Sequence, residues 1–206
     1  MDMIEFALRL SFPEPLPVEG IDLAFVYRLP PGPSQEVANY CGELYSNGTA
    51  KAFGFVKTGP GSGAEGFEVF VQELGEAGVP KDAMVLVPYL YPEGHINTYF
   101  EAHSFVSFWV SQKHRLTRLG VVAQPYHLMR AFLTMVSCLS REGVSPKSIC
   151  LGPIGCPVGS WSSPVTHSQG VVKGSKRGLI KGEVERIGNY QAKGDLIDIS
   201  KALEWL

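Results

Sequence analysis

Four times between residues 21 and 139 a short apolar run gives way to a turn rich in glycine, proline or polar residues, and then to a segment with helical periodicity. This alternation restricts the fold more than any single motif does, because strands joined through helices must lie parallel, with right-handed crossovers. The first run, residues 22–27, is nearly continuous in apolar side chains, as expected of a strand covered on both faces. It stops at Arg28-Leu-Pro-Pro-Gly-Pro, and a helix is predicted from Ser34 as N-cap, with Val37, Tyr40, Cys41, Leu44 and Tyr45 on one face and Asn47-Gly48 as its end. The second unit is a strand over 51–57, a glycine turn over 58–65 and a helix with Phe67, Phe70, Val71, Leu74 and Ala77 inward, closed by Gly78. The third strand, 83–87, leads through a polar and aromatic loop to a helix whose Thr98 and Glu101 form a capping box ahead of Phe105, Phe108 and Trp109. In the fourth, residues 119–123 run into Gln124 as N-cap and Pro125 at the first helical position, with Leu128, Phe132, Met135, Val136 and Leu139 inward. A fifth strand is expected at 148–151, followed by a long loop and helical periodicity over 182–193 and 197–206. The expectation is a single Rossmann-like three-layer α/β/α domain with a mainly parallel sheet of about five strands. Its core would span 21–151, with a C-terminal loop and helical segment over 152–206.

Composition removes several classes of function. With 206 residues, 45% of them hydrophobic, the chain can bury one sizeable core. A formal net charge of -2 argues against a surface built to hold nucleic acid or an anionic membrane. Cys41, Cys138, Cys150 and Cys156 form no C-x-x-C pair, and helix periodicity buries the first two, so reduced structural thiols are expected. Cys150, Cys156 and His167 match no zinc template, and no metal site is expected. The N-terminus carries acids where a signal peptide needs bases, and no apolar run reaches the roughly 18 to 20 residues of a membrane span. A cytoplasmic protein is therefore expected.

In such folds ligands bind beyond the carboxyl ends of the strands. That edge presents Gln124, Tyr126, His127 and, one helical turn later, Arg130. His127 sits in the first turn of a helix, where the macrodipole favours a neutral imidazole, suited to act as a base or as a packing and capping group. Arg130 shares its face and would hold phosphate or carboxylate, or else form a surface ion pair. Tyr126 could stack or hydrogen-bond. The Thr58, Gly59, Gly61 and Gly63 turn satisfies G-x-G-x-x-A but lies in the second unit, and no acidic residue closes the next strand; it is an anion-binding turn or merely a tight one. Glu65, at the head of the following helix, is a catalytic candidate beside His127, its other role being helix stabilisation. Asn97 is a ligand candidate, whereas Thr98 and Glu101 are explained as caps. Lys173, Lys176, Arg177 and Lys181 form a basic loop that would cover an anionic ligand or simply be solvated. Ser62 and Ser104 lack a visible base and no G-x-S-x-G elbow exists, so serine hydrolysis has no support.

The order of these segments resembles the ElyC/SanA/YdcF family: the glycine turn with Glu65, the Gly78-Val79-Pro80 connector, Asn97-Thr98 with Glu101, the stretch from Pro125 through Tyr126, His127 and Arg130 to Ala131, and the segment from Glu183 to Gly194. The resemblance implies a Rossmann-like domain tied to bacterial envelope biology, with a nucleotide or S-adenosylmethionine-like cofactor and no settled reaction. Two segments depart from it. The first strand runs into Arg28-Leu-Pro-Pro-Gly-Pro instead of a glycine pair, and the loop with Tyr89, Tyr91, Glu93 and His95 replaces a shorter acidic-serine pattern. The leading expectation is a small-molecule-binding protein or enzyme with its site at the sheet edge. The alternative is a non-catalytic module binding a protein partner through the aromatic loop 88–99, with Tyr89, Tyr91 and Tyr99 as anchors.

Overall fold

The computed structural model describes residues 2–11, 13, 17, 19–27, 29–61, 63–92, 96–112, 117–167 and 172–206; Arg28, Ser62, Glu93 and His95 lie outside them. Five strands, β1 (Leu23–Val26), β2 (Phe53–Lys57), β3 (Met84–Pro88), β4 (Arg118–Ala123) and β5 (Cys150–Gly155), form an all-parallel sheet in the order β3-β2-β1-β4-β5. The register aligns Phe25 with Gly54 on one side and with Val121 on the other, so the glycine and valine backbones flank the same central residue. Helices α2 (Pro33–Ser46) and α3 (Phe67–Glu76) cover one face, and α4 (Thr98–Ser111) and α5 (Pro125–Arg141) the other. The Rossmann-like α/β/α sandwich expected from the alternation is therefore the observed fold. The order of strand addition reverses at β1, with β2 and β3 on one side and β4 and β5 on the other, which places a topological switch point at the carboxyl ends of β1 and β4.

Packing is close on both faces. A methyl group on Gly42 would lie 2.0 Å from the Ala77 carbonyl oxygen, so α2 and α3 touch only because position 42 has no side chain. On the other face Phe25, Phe105 and Phe132 are fully buried, with Phe25 and Phe105 rings 4.5 Å apart.

Four local expectations are corrected. Helix α2 starts at Pro33 with Gly32 in the cap position, two residues ahead of the expected cap, and the Ser34 hydroxyl donates to Glu73 on α3 instead of capping. Helix α4 is capped by Asn97, whose Oδ1 accepts the Phe100 N–H at 2.9 Å; Thr98 is already inside the helix and Glu101 is buried, so the cap lies one residue earlier and the expected Thr98–Glu101 box does not form. Gln124 does hold the cap position of α5, but its side chain caps nothing. Strand β5 runs to Gly155, into the segment read as loop, because an edge strand tolerates the missing donor of Pro153.

The C-terminal third is more ordered than its composition suggested. Strands β6 (Pro164–His167) and β7 (Val172–Ser175) pair antiparallel, and Ser175 caps α6 (Lys176–Ala192) by accepting from the Gly178 N–H. Lys176, Arg177 and Lys181 thus lie in a helix and not in a basic loop. The short α7 (Ile199–Ala202) and a final 3-10 turn end the described chain, while α1 (Asp2–Ser11), which the sequence reading left unassigned, packs Phe6 and Leu10 against α5. Cys41 and Cys138 are buried as expected, joined by Cys156, and Cys150 is exposed. No helix among the described residues is long and apolar enough to cross a membrane.

Candidate functional site

The first two turns of α5 place His127 and Arg130 on one helical face, as their spacing requires. Both are buried, and the arginine is at the centre of a charged cluster. Its Nε donates to Glu183 Oε2 of α6 at 2.5 Å and its Nη2 to Glu183 Oε1 at 3.3 Å, the forked geometry that suits a guanidinium to a carboxylate. Nη1 donates to the Thr98 hydroxyl at 2.6 Å, and Nη2 stands 3.2 Å from His127 Nδ1. A guanidinium has no lone pair, so that contact is a hydrogen bond in the tautomer with the ring proton on Nε2. With the proton on Nδ1, the imidazole would instead donate across the longer 3.4 Å gap to Glu183. Arg186 adds a further donor to Glu183 Oε1 at 2.7 Å. Glu183 is 1% exposed; removed from water, its charge is compensated by two arginines.

Tyr27, at the end of β1, stands edge-on to His127 with ring centres 5.8 Å apart, and its hydroxyl donates to the Ala131 carbonyl. Burial raises its pKa well above the ordinary phenol value. Tyr27 and Glu183 were not among the candidates. Tyr27 had no local signal beyond ending an apolar run, and Glu183 sits 53 residues from its partner.

A second polar group lies over the β1–β4 switch point. Lys176, buried at the start of α6, donates to Glu36 Oε2 at 2.7 Å, and the Gln124 Nε2 donates to the same oxygen at 2.9 Å. Gln124 is fully buried, and its Oε1 has no hydrogen-bond partner among the described residues. Seven residues separate Lys176 from Glu183, two helical turns, so α6 lowers both charged side chains onto the sheet edge from one face. Tyr126 is buried nearby, and desolvation, with smaller contributions from Glu36 and Glu183, pushes its pKa upward. The Cys156 thiol is pushed up to about 12, chiefly by burial, and is accordingly a poor nucleophile.

The glycine turn is tightly closed. Gly61 N–H donates to the Ala64 carbonyl and Ala64 N–H to the Gly61 carbonyl, each at 2.9 Å, and Gly63 takes the left-handed φ of 79° that the turn requires. The Gly61 amide is thus spent within the turn. A side chain at Gly61 would press on Ile96, which holds the turn against the loop after β3. Glu65 is exposed and precedes the Gly66 cap, so it lies outside α3 rather than at its head; Glu68 is the acid of the first turn.

Between the turn and the loop opens a cleft of about 590 Å³. Lys57, Thr58 and Gly59 form one side, and Tyr89, Tyr91 and Ile96 the other. The tyrosines are braced from behind: Tyr91 stacks on Phe100 with ring centres 3.9 Å apart and its hydroxyl meets His103 Nδ1 at 2.9 Å. Tyr99 stacks on His103 and carries the Arg141 guanidinium 5.3 Å from its ring centre. Desolvation pushes the Tyr89 phenol up to about 12.

The candidates therefore divide. Thr58 and Gly59 face the cleft, Asn97 and Arg130 line a separate hollow of about 250 Å³, and Tyr126 borders a groove of about 670 Å³ beside β5. Gln124 and His127 are held in the two buried polar groups, and Glu65 stands apart at the surface. One continuous pocket from the glycine turn to Arg130 was expected; the start of α4 separates its parts. Compared with protein-family models, with curated proteins and with solved structures, the chain gives no match.

Proposed function

We propose that this protein binds a nucleotide-like small molecule, with S-adenosylmethionine among the candidates, in the cleft at the carboxyl ends of β2 and β3. The observation that carries the reading is the cleft itself: it has the volume of a small-molecule site, an aromatic wall at Tyr89 and Tyr91, and Lys57 with the Gly59 backbone opposite. The tyrosines offer surface for a base or similar flat ring, and the lysine offers charge to an anionic tail. His127 and Arg130 stand behind this site, holding Thr98 and the start of α4. Proton transfer by His127 would need a ligand that reaches past Thr98. The same reading places the chain in the ElyC/SanA/YdcF family, on the order and spacing of the segments named above.

The interaction-module reading is less well supported. The Tyr91 ring packs on Phe100 of α4, Tyr99 belongs to that helix and stacks on its His103, and among the described residues of the stretch Leu90 is the strongly exposed large apolar one.

A thermal-shift screen with S-adenosylmethionine, ATP, NAD and sugar nucleotides tests the proposal. Saturating ligand stabilises the folded state by mass action, by about 2.7 kcal/mol at a hundredfold excess over Kd, and the melting temperature should rise accordingly. Unchanged melting with every compound, together with no saturable signal in titration calorimetry, refutes it.

A further inference from the structure

The hollow of about 250 Å³ on the other side of the α4 start has the chemistry of a second, smaller site. Arg130 lines it while being 6% exposed, so the charge at its floor is largely withdrawn from bulk water. A guanidinium carries five N–H donors. Four are committed, one from Nε, one from Nη1 and two from Nη2, which leaves one Nη1 N–H without an acceptor among the described residues.

The first turn of α4 meets the same hollow. Asn97 Oδ1 takes the Phe100 N–H and the Asn97 carbonyl takes that of Glu101, while the N–H groups of Thr98 and Tyr99 precede any intrahelical acceptor. A carboxylate in the hollow would therefore meet a helix N-terminus and the spare Arg130 donor together. Farther along the wall stands Asp195, partly exposed, whose carboxylate has no ion pair among the described residues. Tyr99, Phe100, Tyr190 and Leu196 supply the apolar remainder.

We propose that this hollow binds an apolar α-amino acid, its carboxylate on Arg130 and the α4 N-terminus, its ammonium on Asp195, and its side chain among Tyr99, Tyr190 and Leu196. The site is separate from the nucleotide cleft, and its occupancy does not depend on that proposal.

Titration calorimetry of the intact protein with L-leucine, L-methionine and L-phenylalanine tests it, with 3-methylbutylamine, which lacks the carboxylate, and N-acetyl-L-leucine, which lacks the ammonium, as controls. At least one amino acid should bind saturably and both controls should fail. Asp195→Asn, at a partly exposed position, should weaken that binding tenfold or more. That binding should persist even if every nucleotide fails to bind. No saturable binding by any of the three amino acids overturns the proposal, as does binding that Asp195→Asn leaves intact or that the controls reproduce.

Discussion

The carboxyl edge of the sheet has two halves built from the same parts, strand ends running into helix starts, yet they are finished differently. At β2 and β3 the edge is open, a cleft between a closed glycine turn and braced tyrosines. At β1 and β4, where the topology itself would place a crevice, α6 lies across the edge with Lys176 and Glu183 buried beneath it. Strand order alone therefore does not locate the open site. What the chain lays over the edge after β5 decides which half remains accessible.

The covered half should fail hardest when one charge is removed. Glu183→Ala leaves Arg130 buried without its carboxylate, and breaking such a pair costs about 3–5 kcal/mol. Chemical denaturation should show that loss, and a change below 1 kcal/mol would mean the cluster is more hydrated than its exposure indicates. The open half should lose function with little loss of stability. Tyr91→Ala removes the ring stacked on Phe100, and roughly tenfold weaker binding of whichever nucleotide the screen identifies, about 1.4 kcal/mol, is expected by calorimetry.

The amino edge offers a milder comparison for the buried pair. There Asp22 accepts from Arg118 and Lys51, and chiefly its hydrogen bond with Arg118 lowers its pKa from 3.8 to about 2. A carboxyl depressed in the folded state stabilises above its unfolded pKa, and this contribution disappears as pH falls through the folded value. Asp22→Asn should therefore cost about 1 kcal/mol at neutral pH, by melting temperature, and the gap from wild type should shrink below pH 4 and close near pH 2. A gap that persists at pH 2 would assign the loss to packing.

Much of the fold was legible because parallel strands covered on both faces read as apolar runs. Phe25, Phe55 and Val121 sit in such runs, and all three are fully buried. The caps were displaced, by two residues at α2 and one at α4, because Ser34 and Thr98 are good local caps whose hydroxyls found tertiary partners, Glu73 and Arg130. Strand β5 was underestimated where Gly152 and Pro153 imitate loop punctuation, and α6 where Gly178 and Gly182 and a buried Lys176 obscure the period. Of the site, pattern exposed what is local: His127 and Arg130 on one face, Thr58 and Gly59 at a strand end. Glu183 was hidden, and Tyr89 and Tyr91 were legible only as anchors for a protein partner, for one reason: their surroundings depend on residues in other elements. A glutamate among other charges on a helix looks solvated until the arginine beneath it is known.

That dependence also fixes an order of assembly. Lys176 and Glu183 reach back 140 and 53 residues to Glu36 and Arg130, so on the ribosome the sheet strands and α5 emerge well before the helix that neutralises them. Until α6 has been made and docked, Arg130 lacks the Glu183 carboxylate it is buried with, and the switch-point edge lies open to water. Formation of the sheet therefore does not by itself finish the switch-point edge; the docking of α6 does.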